Sequence, residues 1–318
     1  GDLEDYFQLV KVAALAAKQG NPDARIHLAG TTYWHDVNSG ERLYTDRLLE
    51  RIAVDPEAPQ HDYYFEALSL HIYFRTDTVY EIVEVYRELL DQHGFEDKAV
   101  WITETNASPN LDPDWPVTRP QFQISLDEQA AFIIQSAALG LAAGAERIAV
   151  YKLYDQSLPP GAESFGLLTP RENAEEPLIP RPGFYAWQTV IANFTGIISA
   201  QLAQNERVNL VQLIHANDRQ TLIAWSRFEH TTTLEISATS DKAYLLDYMG
   251  NQTVIRPENG AYTLELLAAD CEDREGCVVG GMPVILVQPY DDPQSGPQDG
   301  LTLTEITPQN RYTLTFLD

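Results

Sequence analysis

Basic residues and cysteine are scarce in this sequence, and each scarcity excludes a class of function. Only 21 Lys and Arg stand against 47 Asp and Glu, a formal net charge of −26. Phosphate binding needs a basic patch, so nucleic acid is excluded as a partner. Anionic membrane surfaces are excluded for the same reason. No apolar run approaches the roughly 20 residues of a membrane-spanning helix, so no membrane insertion is expected. The apolar stretch 129–144 is short and reads as a buried core helix. Structural zinc wants four ligands, and the two cysteines, Cys271 and Cys277, have no His or third Cys nearby. A metal site is therefore not expected. In the turn-like run Cys-Glu-Asp-Arg-Glu-Gly-Cys the pair can close a small disulfide loop or remain two independent thiols. The disulfide is the favoured reading, and it implies an oxidising compartment, extracellular or at the cell surface. The sequence opens on Gly1 without a signal-type apolar segment, which suggests a processed product or an absent N-terminal part.

What is present is an ordinary globular composition over 318 residues, enough for two domains or for a large barrel with an appendage. Residues 3–18 carry apolar positions at helical spacing, and Gly20 and Pro22 end them. Residues 25–30, 67–73, 99–105 and 147–153 read as short apolar strands. Helices are predicted over 42–54, 78–92, 125–144 and 182–194, with Thr78/Glu81 and Ser125/Glu128 as possible capping boxes. Strands separated by helices imply parallel β-α units. The loops after the strands are long and chemically loaded, as on the active face of a barrel. From about residue 196 the pattern changes to strands alone, at 208–215, 220–226, 232–237, 243–248, 262–267, 283–287 and 312–316, with turn signals at Asn217-Asp218 and Asn259-Gly260. The expected architecture is α/β plus all-β: a (β/α)-barrel portion over 1–195 and an antiparallel β-sandwich over 196–318. Residues 291–300 read as a loop.

Candidate chemistry gathers at the strand ends. In Ala99–Thr105, alternation puts Glu104 on the face of Val100 and Ile102, a carboxylate at a strand end with apolar neighbours. Glycoside cleavage needs such a rigidly held, ionised carboxylate. On the preceding strand Ser69, His71 and Tyr73 share one face, which sets a His and a Tyr beside Glu104. Taken alone, His71 reads as a hydrogen-bonded core histidine. The loop after the first strand carries Tyr33, Trp34, His35 and Asp36, and the loop after the third carries Asn106 and Trp115; exposed aromatics there can stack on sugar rings or pack locally. Lys152 and Asp155 follow the fourth strand, where Lys152 can also serve as the structural partner of a barrel carboxylate.

These residues resemble a known family. The run Asp5-Tyr6, Leu9-Val10-Lys11, Ala14, Ala17-Lys18 and Asn21-Pro22-Asp23-Ala24-Arg25-Ile26 is similar to the helix and strand that follow the Asn-Glu-Pro acid/base motif of clan A glycoside hydrolases. Ser69-Leu70-His71-Ile72-Tyr73 resembles their sixth strand, and Trp101-Ile102-Thr103-Glu104-Thr105-Asn106 the seventh, where the nucleophile lies. Ser164-Phe165-Gly166-Leu167-Leu168 and Arg181-Pro182-Gly183-Phe184-Tyr185-Ala186 resemble the segment after the eighth strand. Families 39 and 5 are the nearest in character, and the likeness spans the first 195 residues. It implies strands five to eight of a TIM barrel, a carbohydrate substrate and a retaining double displacement with Glu104 as nucleophile, without cofactor or metal. It implies substrate contacts from Trp34, His35, His71, Tyr73, Asn106, Trp115, Lys152 and Asp155. The family's acid/base Glu has no counterpart in these 318 residues, so an N-terminal half-barrel carrying it is expected in cis or in trans. The alternative is a catalytically inactive, glycosidase-like carbohydrate-binding or structural surface protein.

Overall fold

The computed structural model describes residues 2–118, 120, 122–155, 157–171, 173, 175–271, 277–289, 301–307 and 311–316. It is a mixed α/β structure with one parallel sheet and two further sheets that are mainly antiparallel. The chain forms two compact units, one of residues 1–72, 80–105 and 144–149, the other of 73–79, 106–143 and 150–318.

The first unit holds three helices before its sheet: α1 (Leu3–Gly20), α2 (Tyr33–Ser39) and α3 (Tyr44–Ala53). The Asp2 carboxylate caps α1 by accepting from the Glu4 amide, and Phe7, Val10 and Ala14 form its buried stripe. The sheet has the order β1 (Ala67–Tyr73), β2 (Ala99–Asn106), β3 (Ala145–Val150). Helix α4 (Val79–Gln92) carries the chain from β1 to β2 and ends before Gly94, whose φ of +77° suits glycine. Residues 25–30 were expected as a regular strand. They instead touch the sheet through isolated parallel bridges, His27 to Ala67 and Thr31 to Leu70. Burial falls across the sheet. Leu68, Leu70, Val100 and Ile102 are buried, whereas Glu146, Arg147 and Ala149 of β3 are exposed. Strands of a parallel sheet are ordinarily covered on both faces, and β3 is not.

Local chemistry explains where the sequence expectations shift. Residues 33–36 were expected in a loop but lie in α2, which Gly40 closes at φ +66°. The fourth strand was expected over 147–153 and runs over Ala145–Val150. The Thr78 hydroxyl donates to the Arg75 carbonyl, closing a short 3-10 turn at Thr76–Thr78 just before α4.

The second unit is built on α5 (Leu126–Ala142) and α6 (Pro182–Asn193). Ser125 and Glu128 make the full capping box at the start of α5, and α5 is buried nearly all round, as its composition requires. A Cβ on Gly183 would sit 2.9 Å from Gln129 Oε1, so the start of α6 presses directly onto α5. The remaining strands are β4 (Ile197–Gln204), β5 (Val208–His215), β6 (Arg219–Ser226), β7 (Thr232–Ser237), β8 (Ala243–Leu246), β9 (Gln252–Ile255), β10 (Ala261–Leu266), β11 (Val284–Pro289), β12 (Leu301–Thr307) and β13 (Arg311–Phe316). They form one sheet of order β4-β5-β6-β11-β8-β9 and another of order β10-β7-β13-β12. All described pairings are antiparallel except β13 on β7, which is parallel. Leu210, Leu222, Ala224 and Leu286 of the larger sheet share one core with Leu234, Ile236, Tyr262, Leu264 and Leu266 of the smaller. Cys271 and Cys277 are joined as a disulfide. The loop expected at 291–300 lies outside the described residues.

Candidate functional site

Glu104 stands one residue before the buried pair Thr105 and Asn106 that ends β2. The burial alternation along β2 holds for Val100, Trp101 and Ile102 and then breaks, because Thr103 and Glu104 are both only partly covered. Glu104 is thus the partly exposed end of the row that Val100 and Ile102 bury. Its side chain is 33% exposed, and its Oε2 lies 3.4 Å from His71 Nδ1 on β1. His71 is itself held in place. A Cβ added to Gly30 would lie 2.0 Å from His71 Nε2 and 2.4 Å from its Cε1. The imidazole thus occupies the space that glycine leaves open. The His71 amide donates to the Thr31 carbonyl, which fixes the strand beneath the ring. A carboxylate and an imidazole at the ends of neighbouring strands, one backed by a glycine, are chemically suited to hold a negative charge at a fixed point.

The same unit contains α2, with Trp34 exposed and His35 beside it; Trp34 stacks edge-on against Tyr33, centroids 5.1 Å apart. Asp36, in contrast, is buried and accepts the Tyr44 amide at 2.6 Å. It is a capping group for α3, outside any open site. Two concavities lie in this unit. One of about 270 Å³ is lined by Tyr6, Leu28, Gly30, Tyr44, Leu48 and Ser69, among others. The other, of about 260 Å³, includes Lys18, His61 and Glu66.

The remaining sequence candidates lie in the second unit. Asn106 is fully buried. Its Nδ2 donates to the carbonyls of Tyr151 and Phe165 at 2.8 and 2.7 Å, and its Oδ1 accepts from Ala107 and Gln129. That uses two donors and two acceptors, the whole capacity of the amide, so Asn106 fixes backbone. Tyr73 packs with Phe165, Tyr151 and Phe74 in an aromatic group with centroid distances of 5.4 to 6.4 Å. Trp115 donates through Nε1 to the Ala162 carbonyl and is half-buried.

Asp155 is 2% exposed and accepts from Lys152 Nζ, Ser164 Oγ and the Gly166 amide, each at 2.8 Å. The Asp155 carboxylate at hydrogen-bond distance raises the Lys152 pKa above its ordinary value. Ser164 Oγ in turn accepts from Arg181, which also donates to the Gly166 carbonyl and pairs with Asp112 at 2.7 Å. Burial lowers the Arg181 pKa, against the opposing pull of Asp112. Asp112, Ser164 and Arg181 were not singled out as site residues. Ser164 and Arg181 did stand in the two motifs quoted after the fourth strand, and the network shows what joins those motifs. For Asp112 the available signal was Asp-Pro-Asp, where Asp112 Oδ1 accepts the Asp114 amide.

No protein-family model matches the chain, and no curated protein matches it in sequence. Solved structures do match in fold. A family 39 glycoside hydrolase from the gut symbiont Bacteroides cellulosilyticus WH2 is 18% identical with a TM-score of 0.60, over 89% of this chain and 54% of that one. A family 30 endoxylanase from Clostridium papyrosolvens C71 is 11% identical with a TM-score of 0.54, over 91% and 61%. An α-L-arabinofuranosidase from Thermotoga maritima is 11% identical with a TM-score of 0.54, over 91% and 63%. The chain therefore has the fold found in clan A glycoside hydrolases and spans between 54% and 63% of the length of these three structures.

Proposed function

We propose that this chain is the C-terminal portion of a retaining glycoside hydrolase acting on O-glycosidic bonds of an oligo- or polysaccharide. The observation that carries the reading is Glu104 beside His71, with the imidazole seated over Gly30. In this reading residues 1–195 are strands five to eight of a (β/α)8 barrel and 196–318 a β-sandwich. The other four strands, with the acid/base carboxyl group, come from a complementing half-barrel in cis or in trans. The exposure of β3 and the incomplete pairing of residues 26–31 support an open sheet that another element closes.

Glu104 attacks the anomeric carbon through a carboxylate oxygen as the bond to the leaving oxygen breaks, and the acid/base group protonates that oxygen. Water activated by the same group then hydrolyses the glycosyl ester, restoring the Glu104 carboxylate and retaining the anomeric configuration. The two carboxyl groups of such a pair stand roughly 5–5.5 Å apart. His71 holds the nucleophile in position, and Trp34, His35 and Trp115 are the candidate sugar contacts. Asn106, Lys152 and Asp155 act within the second unit by fixing its backbone. The disulfide fits an extracellular or cell-surface location.

The test is the Glu104→Gln variant of the protein carrying both halves, assayed on aryl glycosides. Loss of turnover, together with partial rescue of Glu104→Ala by azide to give a glycosyl azide of inverted configuration, supports the assignment. Equal turnover in parent and Glu104→Gln removes the nucleophile; intact polysaccharide binding without turnover in either points to the carbohydrate-binding module instead.

A further inference from the structure

Between β10 and β11 the chain passes through residues 278–282, which belong to no strand. Their backbone groups bond to three other parts of the second unit. The Val278 carbonyl accepts from both the amide and the hydroxyl of Thr76, at 3.2 and 3.5 Å. Gln135 of α5, fully buried, engages the following residues as another peptide group would. Its Oε1 accepts the Gly280 amide at 3.1 Å, and its Nε2 donates to the Gly281 carbonyl at 2.8 Å. The Gly281 amide donates to the Ser226 carbonyl of β6 at 2.8 Å. Close approach explains the two glycines. A Cβ on Gly280 would lie 2.4 Å from Trp225 Cδ1, and one on Gly281 would lie 2.2 Å from the Leu267 carbonyl oxygen. Val279 is buried with Ala107, Ile124 and Phe132, and Phe74 packs against the same group.

This strap holds a turn in an unfavourable conformation. Phe74 has φ +66°, a region that bulky side chains rarely enter, and such residues persist where their surroundings over-determine them. Here the Phe74 amide donates to the Asn106 carbonyl at 3.0 Å, its ring centroid lies 5.0 Å from that of Phe122, and Thr76, two residues on, is tied to Val278. The turn follows Tyr73 directly, so it fixes where β1 ends. One end of the strap is covalently anchored. Cys277, joined to Cys271, directly precedes Val278. Cys271 is buried, and two residues before it the Ala269 amide donates to the Phe228 carbonyl at 2.9 Å, which ties that side to the sandwich. Cys277 is partly exposed, so it is the half of the bond that a reductant reaches.

We infer that residues 277–282 are a redox-sensitive brace: the turn Phe74–Thr76 is locked while Cys271 and Cys277 are joined and is released when they are reduced. A dithiol reductant supplies the two electrons. Its thiolate attacks Cys277 Sγ, the S–S bond breaks, and Cys271 leaves as a thiolate. The second thiolate of the reductant then closes the reductant's own disulfide and expels Cys277. The two protons given up by the reductant end on Cys271 and Cys277. Without the cross-link the open state of the strap gains conformational freedom, so its bonds to Thr76 and Gln135 open locally. The brace works whether or not Glu104 is the nucleophile.

Hydrogen exchange tests this on the 318-residue chain with the disulfide closed, after reduction with dithiothreitol, and as Cys271→Ser/Cys277→Ser without reductant. Exchange at Thr76, Gly280 and Gly281 should accelerate at least roughly 10-fold more than at Leu210 and Leu213 of β5, in both the reduced and the substituted protein. Brief trypsin treatment should then cut after Arg75, which the closed form protects although the side chain is 44% exposed. Acceleration of β5 by the same factor as the strap overturns the inference, because the bond then stabilises the whole unit alike. Unchanged exchange overturns it too. So does loss of protection at Gly280 and Gly281 with Thr76 still protected, or an intact Arg75–Thr76 bond in the reduced protein, because the turn then stands without the strap.

Discussion

Asp112→Asn is expected to be among the most damaging conservative substitutions in the second unit. Asp112 and Arg181 are 3% and 2% exposed and 2.7 Å apart. Asn keeps the size of the side chain and an oxygen for the Asp114 amide, so the backbone turn survives. What is lost is the charge opposite a buried guanidinium. Arg181 then keeps two neutral acceptors, Ser164 Oγ and the Gly166 carbonyl, and of the described carboxylates acting on it only Asp155, one bond further away, remains. Removing one partner of a buried pair costs about 3–5 kcal/mol, because the remaining charge is stranded away from water. For a unit of this size that lowers the melting temperature by roughly 6–20 °C, at about 2–4 °C per kcal/mol. In urea, with m near 3 kcal/mol/M, the midpoint falls by about 1–1.7 M. The control is Asp112→Leu/Arg181→Met. It removes both charges but leaves the Gly166 carbonyl short of a donor, so it should cost about 1–3 kcal/mol, less than the single change. Chemical denaturation followed by tryptophan fluorescence measures these proteins together with the single variants Asp112→Leu and Arg181→Met. An Asp112→Asn cost below about 1 kcal/mol, or a double variant as unstable as the sum of its singles, would refute the claim that these charges depend on each other.

Three further outcomes are expected. Gly30→Ala puts a methyl group where the His71 ring lies; the ring can swing aside, so stability falls by only about 1 kcal/mol, and a crystal structure of the variant should show His71 displaced from Glu104. His215 is buried, with Nδ1 donating to the Thr195 carbonyl and Nε2 accepting from Thr221; burial, aided by Arg219, pushes its pKa below the ordinary value. The unfolded chain then takes up a proton near pH 6.5 that the folded chain refuses, so stability is full above that pH and declines as pH falls toward the folded pKa. Denaturation midpoints from pH 7 to 5 should show this decline, and His215→Gln should flatten it. Replacing both Cys271 and Cys277 by Ser should cost about 2 kcal/mol, from the loop-closure entropy of so short a loop, and an unchanged melting temperature would show the bond to be inert.

Most strands were legible because their chemistry is local. Thr232–Ser237 alternates buried and partly buried residues in the manner of a sheet covered on one face, and Asn259-Gly260 adopts positive φ at both residues, as that dipeptide suggests. Strands β4, β9 and β12 were not legible. Gln252–Ile255 is only four residues long and mostly exposed, so it carries no apolar pattern and exists through pairing with β8. Ile197–Gln204 is likewise set by its ladder with β5. Helix α2 was missed because seven residues give periodicity too little length to register. At the site, the His71–Glu104 pairing could be anticipated from neighbouring strand ends. The seat under His71 could not, because a glycine 41 positions earlier in the chain carries no sign of which side chain needs its space.

The motifs that look like family signatures are explained here as supports. Ser164-Phe165-Gly166 and Arg181-Pro182-Gly183 are far apart as sequence, and neither contains a reactive group of the proposed mechanism. Yet Arg181 donates to both Ser164 and Gly166, Asp155 accepts from both, and Gly183 admits α6 against Gln129 of α5. Gln129 in turn donates to Asn106, which clamps the Tyr151 and Phe165 carbonyls. Removing a member takes a partner from a buried polar group, and a buried polar group left without its partner costs about 1–3 kcal/mol. Selection on stability alone can therefore keep these residues in a chain whether or not it cleaves sugars. A resemblance carried by such residues is strong evidence for the loop scaffold and weak evidence for turnover. The proposed chemistry rests on fewer positions, Glu104, His71 and Gly30, and substitution at those positions is what tests the proposal apart from the frame.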